Sequence, residues 1–485
     1  MDQGSGKTMI SVLLVHHVDK KNVVWIQSGS DFVDLFYSFL TMPLGTIVRL
    51  LEHHGRLKEK VSIGCFNNLY KSLVDMSIDN FRNEACKQML VYPKSVKERQ
   101  CRMLKINIDD TEETKYFMCP KSLQSPSCRE FFSNFNTSRC RCGNLMNKES
   151  SSPEGEESVS RLGGSCDDDG VFVHGDGNMA FMLSDDLTIE NFSWDLPRKR
   201  VKDLGCVNVF DKLGEGEPEV GFREAMTLLR SLFTSETPLT ATFFPFHSSP
   251  YPSKRAYKAS SPCDSVLGQV LSFKVYLSKE DNKKVIYAEC GEGFIDLLCM
   301  FLVLPLGYIC QISSRDGDDD DGLGCIGNLF RSFKGLSGDE ITIPWYYNCR
   351  KNLLGITVQK PPSLFNCISY LEDNGMAGDC EDSRLKKVRP MDPKAEISGQ
   401  SRSSSGGFVK SNKKFLVTDD LIITPLNSDL TMRELKKLKI SFDEVNIKEI
   451  TIGKTEATNL LKASFVTSFA LTNGLSDLLS KKLEG

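Results

Sequence analysis

Residues Asp31–Gly45 read DFVDLFYSFLTMPLG, and residues Gly293–Gly307 read GFIDLLCMFLVLPLG, aligned without a gap. Phe32, Leu35, Phe36, Phe39 and Leu40 fall at i, i+3, i+4, i+7 and i+8, which is one apolar face of a helix. Phe294, Leu297, Leu298, Phe301 and Leu302 repeat that face position for position. Asp31 is the expected N-cap, and Asp34 falls in the first turn, where a carboxylate suits the helix dipole. Gly293 and Asp296 occupy those places in the second stretch, and Pro43 and Pro305 are expected to stop the two helices. Across residues 19–47 and 281–309, 13 of 29 positions are identical, so the chain reads as two copies of one plan.

The repeat extends outward in both directions. Before each helix, two β-rich runs flank a polar turn and predict a hairpin: Ile10–Val15 with Val23–Ile26, and Phe273–Leu277 with Val285–Ala288. After each helix, Gly64–Ser72 and Gly324–Ser332 share the pattern G-C-x-x-N-L-x-x-S. Further on, FMLSDDLTI at Phe181–Ile189 matches FLVTDDLII at Phe415–Ile423, and Gly221–Phe233 matches Gly453–Phe465. This last element predicts a helix with Gly453 at its N-cap, Glu456 three residues on as half of a capping box, and Ala457, Leu460, Leu461 and Phe465 buried.

The fold class is therefore α+β: two tandem copies of a β-hairpin/helix unit, each followed by a smaller strand-turn-helix unit. Composition places the joints in Ser-, Gly- and acid-rich stretches that bury too little apolar surface to fold. The expected order is unit A1 at 1–147 with a Cys-rich loop, a linker at 148–170, and unit B1 at 171–245. A linker at 246–262 leads to unit A2 at 263–365, a linker at 366–407 and unit B2 at 408–485.

Bulk chemistry narrows the function classes. A net charge of −4 over 485 residues gives no support to a dedicated duplex-DNA binder, which carries a basic face. The longest apolar run, Leu297–Ile309, contains Pro305 and falls well short of the roughly 20 residues a membrane span needs. The N-terminus lacks the apolar segment of a secretory signal, so the 17 cysteines are expected as reduced thiols or metal ligands in the cytoplasm or nucleus.

Cys119, Cys128, Cys140 and Cys142 are the candidate site, spaced C-x8-C-x11-C-x-C with Gly143 behind the last. Four thiolates close a tetrahedral structural zinc site, and a glycine after a cysteine pair lets the backbone turn around the metal. The spacing departs from the C-x2-C of ribbons and knuckles, and the second copy keeps only Cys349, so a loop of reduced thiols is the competing reading.

The other motifs point to architecture. Gly4-Ser5-Gly6-Lys7-Thr8 resembles a phosphate loop, yet its first glycine position is Met1 and no strand precedes it, so nucleotide binding is not expected there. Asp316–Asp321 has Asp321 where a calcium loop requires glycine, and reads as a solvated acidic loop. His16, His17, His53 and His54 have no counterparts in the second copy and are expected at the surface. Asp185-Asp186 and Asp419-Asp420 suit a turn or strand end better than acid/base work. Asn68 and Asn328 suit caps or turns, and Arg198–Lys202 is a short basic cluster.

Taken together, the D-K-K-x-x-V, D-F-V-D-L-F, P-L-G, G-x-x-x-N-L-Y-x-S, D-D-L-x-x-T-P and I-G-x-x-E-A-x-x-L-L-K-A-S blocks resemble the plant family of domain of unknown function 674, over essentially the whole chain. That resemblance implies a plant source and a soluble intracellular protein, and it lends support to the paired cysteines of the first loop. It implies no activity. No catalytic residue and no organic cofactor is assigned. The expected function is a non-enzymatic interaction or scaffold protein with an unknown protein partner and a structural zinc loop. The alternatives are an enzyme with a site between the copies, built on the four aspartates, or a zinc-dependent nucleic-acid binder using the Cys-rich loop and Arg198–Lys202.

Overall fold

Both β-rich openings form hairpins. In the first, Leu13–His17 pairs antiparallel with Asn22–Ser28. In the second, Leu271–Ser278 pairs with Val285–Gly291. A computed structural model describes residues 8–54, 61–95, 97–150, 170–173, 180–203, 212–245, 257, 259, 270–313, 322–336, 389–390, 407–426, 436 and 445–480.

Each hairpin is the centre of a five-stranded antiparallel sheet. The first runs in the order Ile189–Asn191, Phe181–Ser184, Asn22–Ser28, Leu13–His17, Leu213–Gly216. The second runs Ile423–Pro425, Lys414–Thr418, Val285–Gly291, Leu271–Ser278, Val445–Ile452, the same order built from matching segments. The strand pair around each Asp-Asp turn thus joins the sheet of its own half's hairpin, with Leu187 and Leu421 at positive φ completing the two turns.

Packing corrects the expected helix in three ways. The helix spans Ser30–Thr41 with Gly29 as N-cap, so Asp31 lies inside the first turn, where it forms an ion pair with Lys105. Its counterpart spans Glu292–Val303 with Gly291 as N-cap. Burial reaches beyond the apolar stripe, because Val33, Tyr37, Ser38 and Thr41 are buried too. A helix enclosed on nearly every side is a core helix rather than a surface one.

The prolines do end these helices, and a new helix starts directly behind each: Leu44–His53 after Pro43, and Leu306–Ser313 after Pro305. The two breaks meet. Leu44 N–H donates to Leu304 O and Leu306 N–H donates to Met42 O, each at 3.0 Å, bridging Pro43 to Pro305. Gly45 explains the P-L-G motif, since a Cβ there would lie 3.0 Å from Pro93 Cγ and 3.2 Å from Leu302 O. One hydrophobic cluster therefore contains both halves, from Ile10 and Phe32 to Leu460 and Phe465. Each large side chain buried in it contributes roughly 1.5–3 kcal/mol.

Asp34 and Asp296 are not dipole partners at an exposed helix end. Asp34 is 0% exposed and accepts N–H bonds from Val171 (2.5 Å), Phe172 (3.1 Å) and Val173 (3.0 Å). Asp296 accepts from Phe408 (2.7 Å) and Val409 (3.1 Å). Each carboxylate pins the chain as it returns toward the sheet, and Gly170 and Gly407 stand where a Cβ would strike that carboxylate. The helix Lys454–Val466 begins as expected: Gly453 N–H donates to Glu456 Oε2 at 2.8 Å, and Gly221 N–H donates to Glu224 Oε2 at 3.1 Å ahead of Phe222–Thr234.

Candidate metal centre

The Cys-rich loop is a small module with its own sheet and its own core. Tyr116–Met118 pairs antiparallel with Phe131–Ser133 on one side and with Lys148–Ser150 on the other. Lys148–Ser150, assigned to a linker by composition, is thus a strand of this module. Arg389–Pro390 adds alongside Phe131–Phe132 in parallel, which no local pattern announces. The buried residues of this core are Cys119, Cys128, Phe131, Cys140 and Met146, separate from the main cluster.

Local sequence places each thiol. Cys119 follows the Tyr116–Met118 strand, and Pro120 forces an immediate turn in which Ser122 N–H donates to Cys119 O at 2.9 Å. Cys128 sits on the short helix Pro126–Arg129, opened by a proline at its first position. Cys140 and Cys142 flank a tight hairpin turn. Within it Cys140 N–H donates to Asn144 O and Gly143 N–H donates to Cys140 O, both at 2.8 Å. Gly143 has φ +87°, a left-handed conformation that glycine adopts without strain and that lets the backbone turn behind Cys142.

These turns bring all four sulfurs within 4.8 Å of one another, with Cys119 and Cys142 Sγ at 3.5 Å. A tetrahedron with metal–sulfur bonds of about 2.3 Å has sulfur–sulfur edges of ~3.8 Å, so the cluster is already of the size a metal ion needs. All four are free cysteines. Cys119, Cys128 and Cys140 are buried and Cys142 is exposed. Burial pushes the Cys140 thiol up to about 12 and raises Cys119 as well. Cys142 is lowered to about 6, first by its hydrogen bond from the Asn144 backbone, and the Asn144 amide also reaches its sulfur at 3.4 Å. Cys142 is thus the exposed thiol of the cluster set to carry charge.

Two further side chains shape this centre and were not singled out from sequence. Asn144 supplies donors to Cys142, and the Arg141 guanidinium lies 4.3 Å from the centre of the Phe131 ring, covering one face of the small core. Arg99 donates to Tyr116 Oη at 2.8 Å and ties the module to the body. The x in C-x-C and the residue after C-x-C-G were the signals available.

The remaining candidates resolve into structure. Asp185 accepts from Thr240 N–H at 2.9 Å and from its hydroxyl at 2.5 Å; Asp419 does the same with Thr472, at 2.8 and 2.7 Å. Burial raises Asp185 to about 6 and raises Asp419 too. Asp186 accepts from Thr188 N–H at 3.1 Å, and Asp420 accepts from Thr418 Oγ1 at 2.5 Å. Each aspartate of the enzyme reading is therefore engaged in holding a turn. Of the histidines expected at the surface, His53 and His54 are exposed, but His17 is buried and His16 half-buried against Phe244. His16 is covered by the Phe244 ring and by Gly214 of the neighbouring strand, which leaves room for its imidazole. Arg198–Lys202 lies on the helix Asp195–Asp203, with Arg200 paired to Glu190 at 3.1 Å. Met1–Lys7, Asp316–Asp321 and Cys349 lie outside the described residues.

Among the described residues no helix is long and apolar enough to cross a membrane. Comparison with curated proteins and with solved structures returned no match. A family model described as protein of unknown function (DUF674) matches residues 6–455, far more than half of the sequence, and the chain belongs to that family.

Proposed function

We propose that this chain is a non-enzymatic interaction or scaffold protein of the cytoplasm or nucleus. In this reading, zinc on Cys119, Cys128, Cys140 and Cys142 holds the module that meets its protein partner. The observation that carries the reading is the convergence of four sulfurs from three separate turns to within 4.8 Å. An all-sulfur donor set suits zinc, and four protein ligands leave no open coordination position, so the ion's contribution is structural. The size of the module's core supports one: among the described residues Phe131 and Met146 are the non-cysteine side chains of its buried cluster, and cores this small usually rely on metals or disulfides. Leu123 and Leu145 of the module are 72% and 41% exposed.

The test is the metal content of the purified full-length protein by plasma mass spectrometry, with and without Cys140→Ser. One zinc per chain, falling with the variant, is the expected result. Wild-type protein that binds no zinc after equilibration with an equimolar supply would remove the proposal.

A second reading, zinc-dependent nucleic-acid binding, is favoured by charge. Lys121, Arg129, Arg139, Arg141 and Lys148 are exposed on the module, against Glu130 and Glu149, within a chain of net charge −4. Binding to single strands should then weaken with salt, with a logarithmic slope of roughly −0.7 per phosphate neutralised. No binding at low salt, or a flat dependence, disposes of it.

A further inference from the structure

Two motifs that looked like separate local features meet each other, and they do so twice, each time across the halves. Ser72, on the helix Phe66–Asp75 of the first half, accepts from the Ile423 N–H of the second half at 3.0 Å. Ser332, on the helix Cys325–Gly335 of the second half, accepts from the Ile189 N–H of the first at 2.9 Å. Asn68 donates its amide to Asp420 O at 3.0 Å, and Asn328 donates to Asp186 O at 2.9 Å. The Cys65 thiol donates to Thr467 O and the Cys325 thiol to Ser235 O, again in opposite directions.

The receiving strands, Ile189–Asn191 and Ile423–Pro425, are the end strands of their sheets. An end strand presents unpaired N–H groups, a template that proteins cover or blunt. Here the helix from the other half covers it, and its serine takes the free N–H. The same serine donates to its own helix, at Asn68 O (2.8 Å) or Asn328 O (2.9 Å), so the hydroxyl is used in both directions. Apolar packing follows the same exchange: Tyr37 of the first half meets Phe333 of the second edge-on at 5.0 Å, and Phe465 packs edge-on against Phe66 and Phe233, each at 6.2 Å.

Every half therefore carries both members of each contact, the helix that covers and the end strand that is covered. That is the signature of an isologous interface, in which residue i meets j and j meets i. We infer that each half is a self-complementary association module, whose partner in this chain is the other half and whose alternative partner is a second copy of itself. The chain is held together as a two-fold dimer is held, and the covalent link between the halves serves to set their concentration rather than their geometry.

The experiment uses the full chain with a protease site inserted in the 246–256 segment. After cleavage the two fragments should stay in one particle on size exclusion and unfold in one transition; two folded fragments eluting apart would overturn the inference. Isotope-labelled and unlabelled cleaved chains are then mixed through mild denaturant and read by native mass spectrometry. Pairs of two N-terminal or two C-terminal fragments, carrying one labelled and one unlabelled copy, should accompany the N-terminal/C-terminal pairs, and their complete absence would refute self-complementarity. In the uncut chain, Ser72→Ala should speed amide exchange at Ile423 at least tenfold, and Ser332→Ala should do so at Ile189. Unchanged exchange at both sites would show that the reciprocal contacts do not hold the halves.

Discussion

Asp34→Ala is the most informative single change, because it removes one acceptor from three buried donors. The N–H groups of Val171, Phe172 and Val173 all lose their partner. A buried donor left unsatisfied costs about 1–3 kcal/mol, and the short returning segment can shift partly toward water, so we expect a loss of roughly 3–5 kcal/mol. Asp34→Asn keeps one carbonyl oxygen for Phe172 and Val173 but turns an amide toward the Val171 N–H, and should lose about half as much. Denaturant unfolding of the full chain at pH 8 measures this as a lower midpoint at unchanged slope. An Asp34→Ala variant within about 0.5 kcal/mol of wild type would refute the claim that this carboxylate pins the returning chain. The same residue titrates. Burial, opposed by the three backbone bonds, lifts Asp34 from 3.8 to about 7. Below pH 3.8 both states hold the proton and the contribution is complete. Between 3.8 and about 7 the unfolded chain has released it and the folded chain has not, so stability falls by about 1.36 kcal/mol per pH unit; above pH 7 this proton-linked part is gone and the three N–H bonds to the carboxylate remain. Asp34→Asn should flatten that slope, and an unaltered slope would contradict the assignment.

Three further outcomes follow from the same structure. With zinc on the four sulfurs as proposed, its chelation should raise amide exchange across Tyr116–Ser150 while leaving the main sheets protected, because the module's core is separate from the cluster the halves share; exchange rising uniformly would show otherwise. Gly64→Ala should cost roughly 2 kcal/mol or more, since Gly64 has φ +51° and a Cβ would collide with the Ser464 carbonyl of the other half, and a neutral result in thermal unfolding would argue against that close approach. Glu456→Ala should cost about 1 kcal/mol by releasing the Gly453 N–H, with Glu224→Ala its counterpart at Gly221, both measurable by denaturant midpoint.

The scaffold reading shifts where function is to be sought. The recurring aspartates, asparagines and serines are engaged in turns and in contacts between the halves. The Cys-rich module stands apart from that shared core, and its exposed leucines and cations are the surface most readily spared for a partner.

What the amino-acid sequence determined alone was local: the hairpins, the stripe of Phe32, Leu35, Phe36, Phe39 and Leu40, the breaks at Pro43 and Pro305, the Glu456 cap, and the four cysteines with Gly143 behind them. These are visible because helix and strand periods, proline and glycine act within a few residues. Sequence spacing did not show that the helix Ser30–Thr41 is enclosed on nearly every side, since Tyr37 lies off the stripe, yet Phe172 and Phe333 pack against its ring. Nor could it show that Asp34 binds a segment far along the chain, or that Ser72 meets Ile423, 351 residues away. A hydroxyl or carboxylate carries no mark of its partner in its own neighbourhood. Tertiary packing assigns that partner, because a buried donor must find an acceptor wherever the fold delivers one.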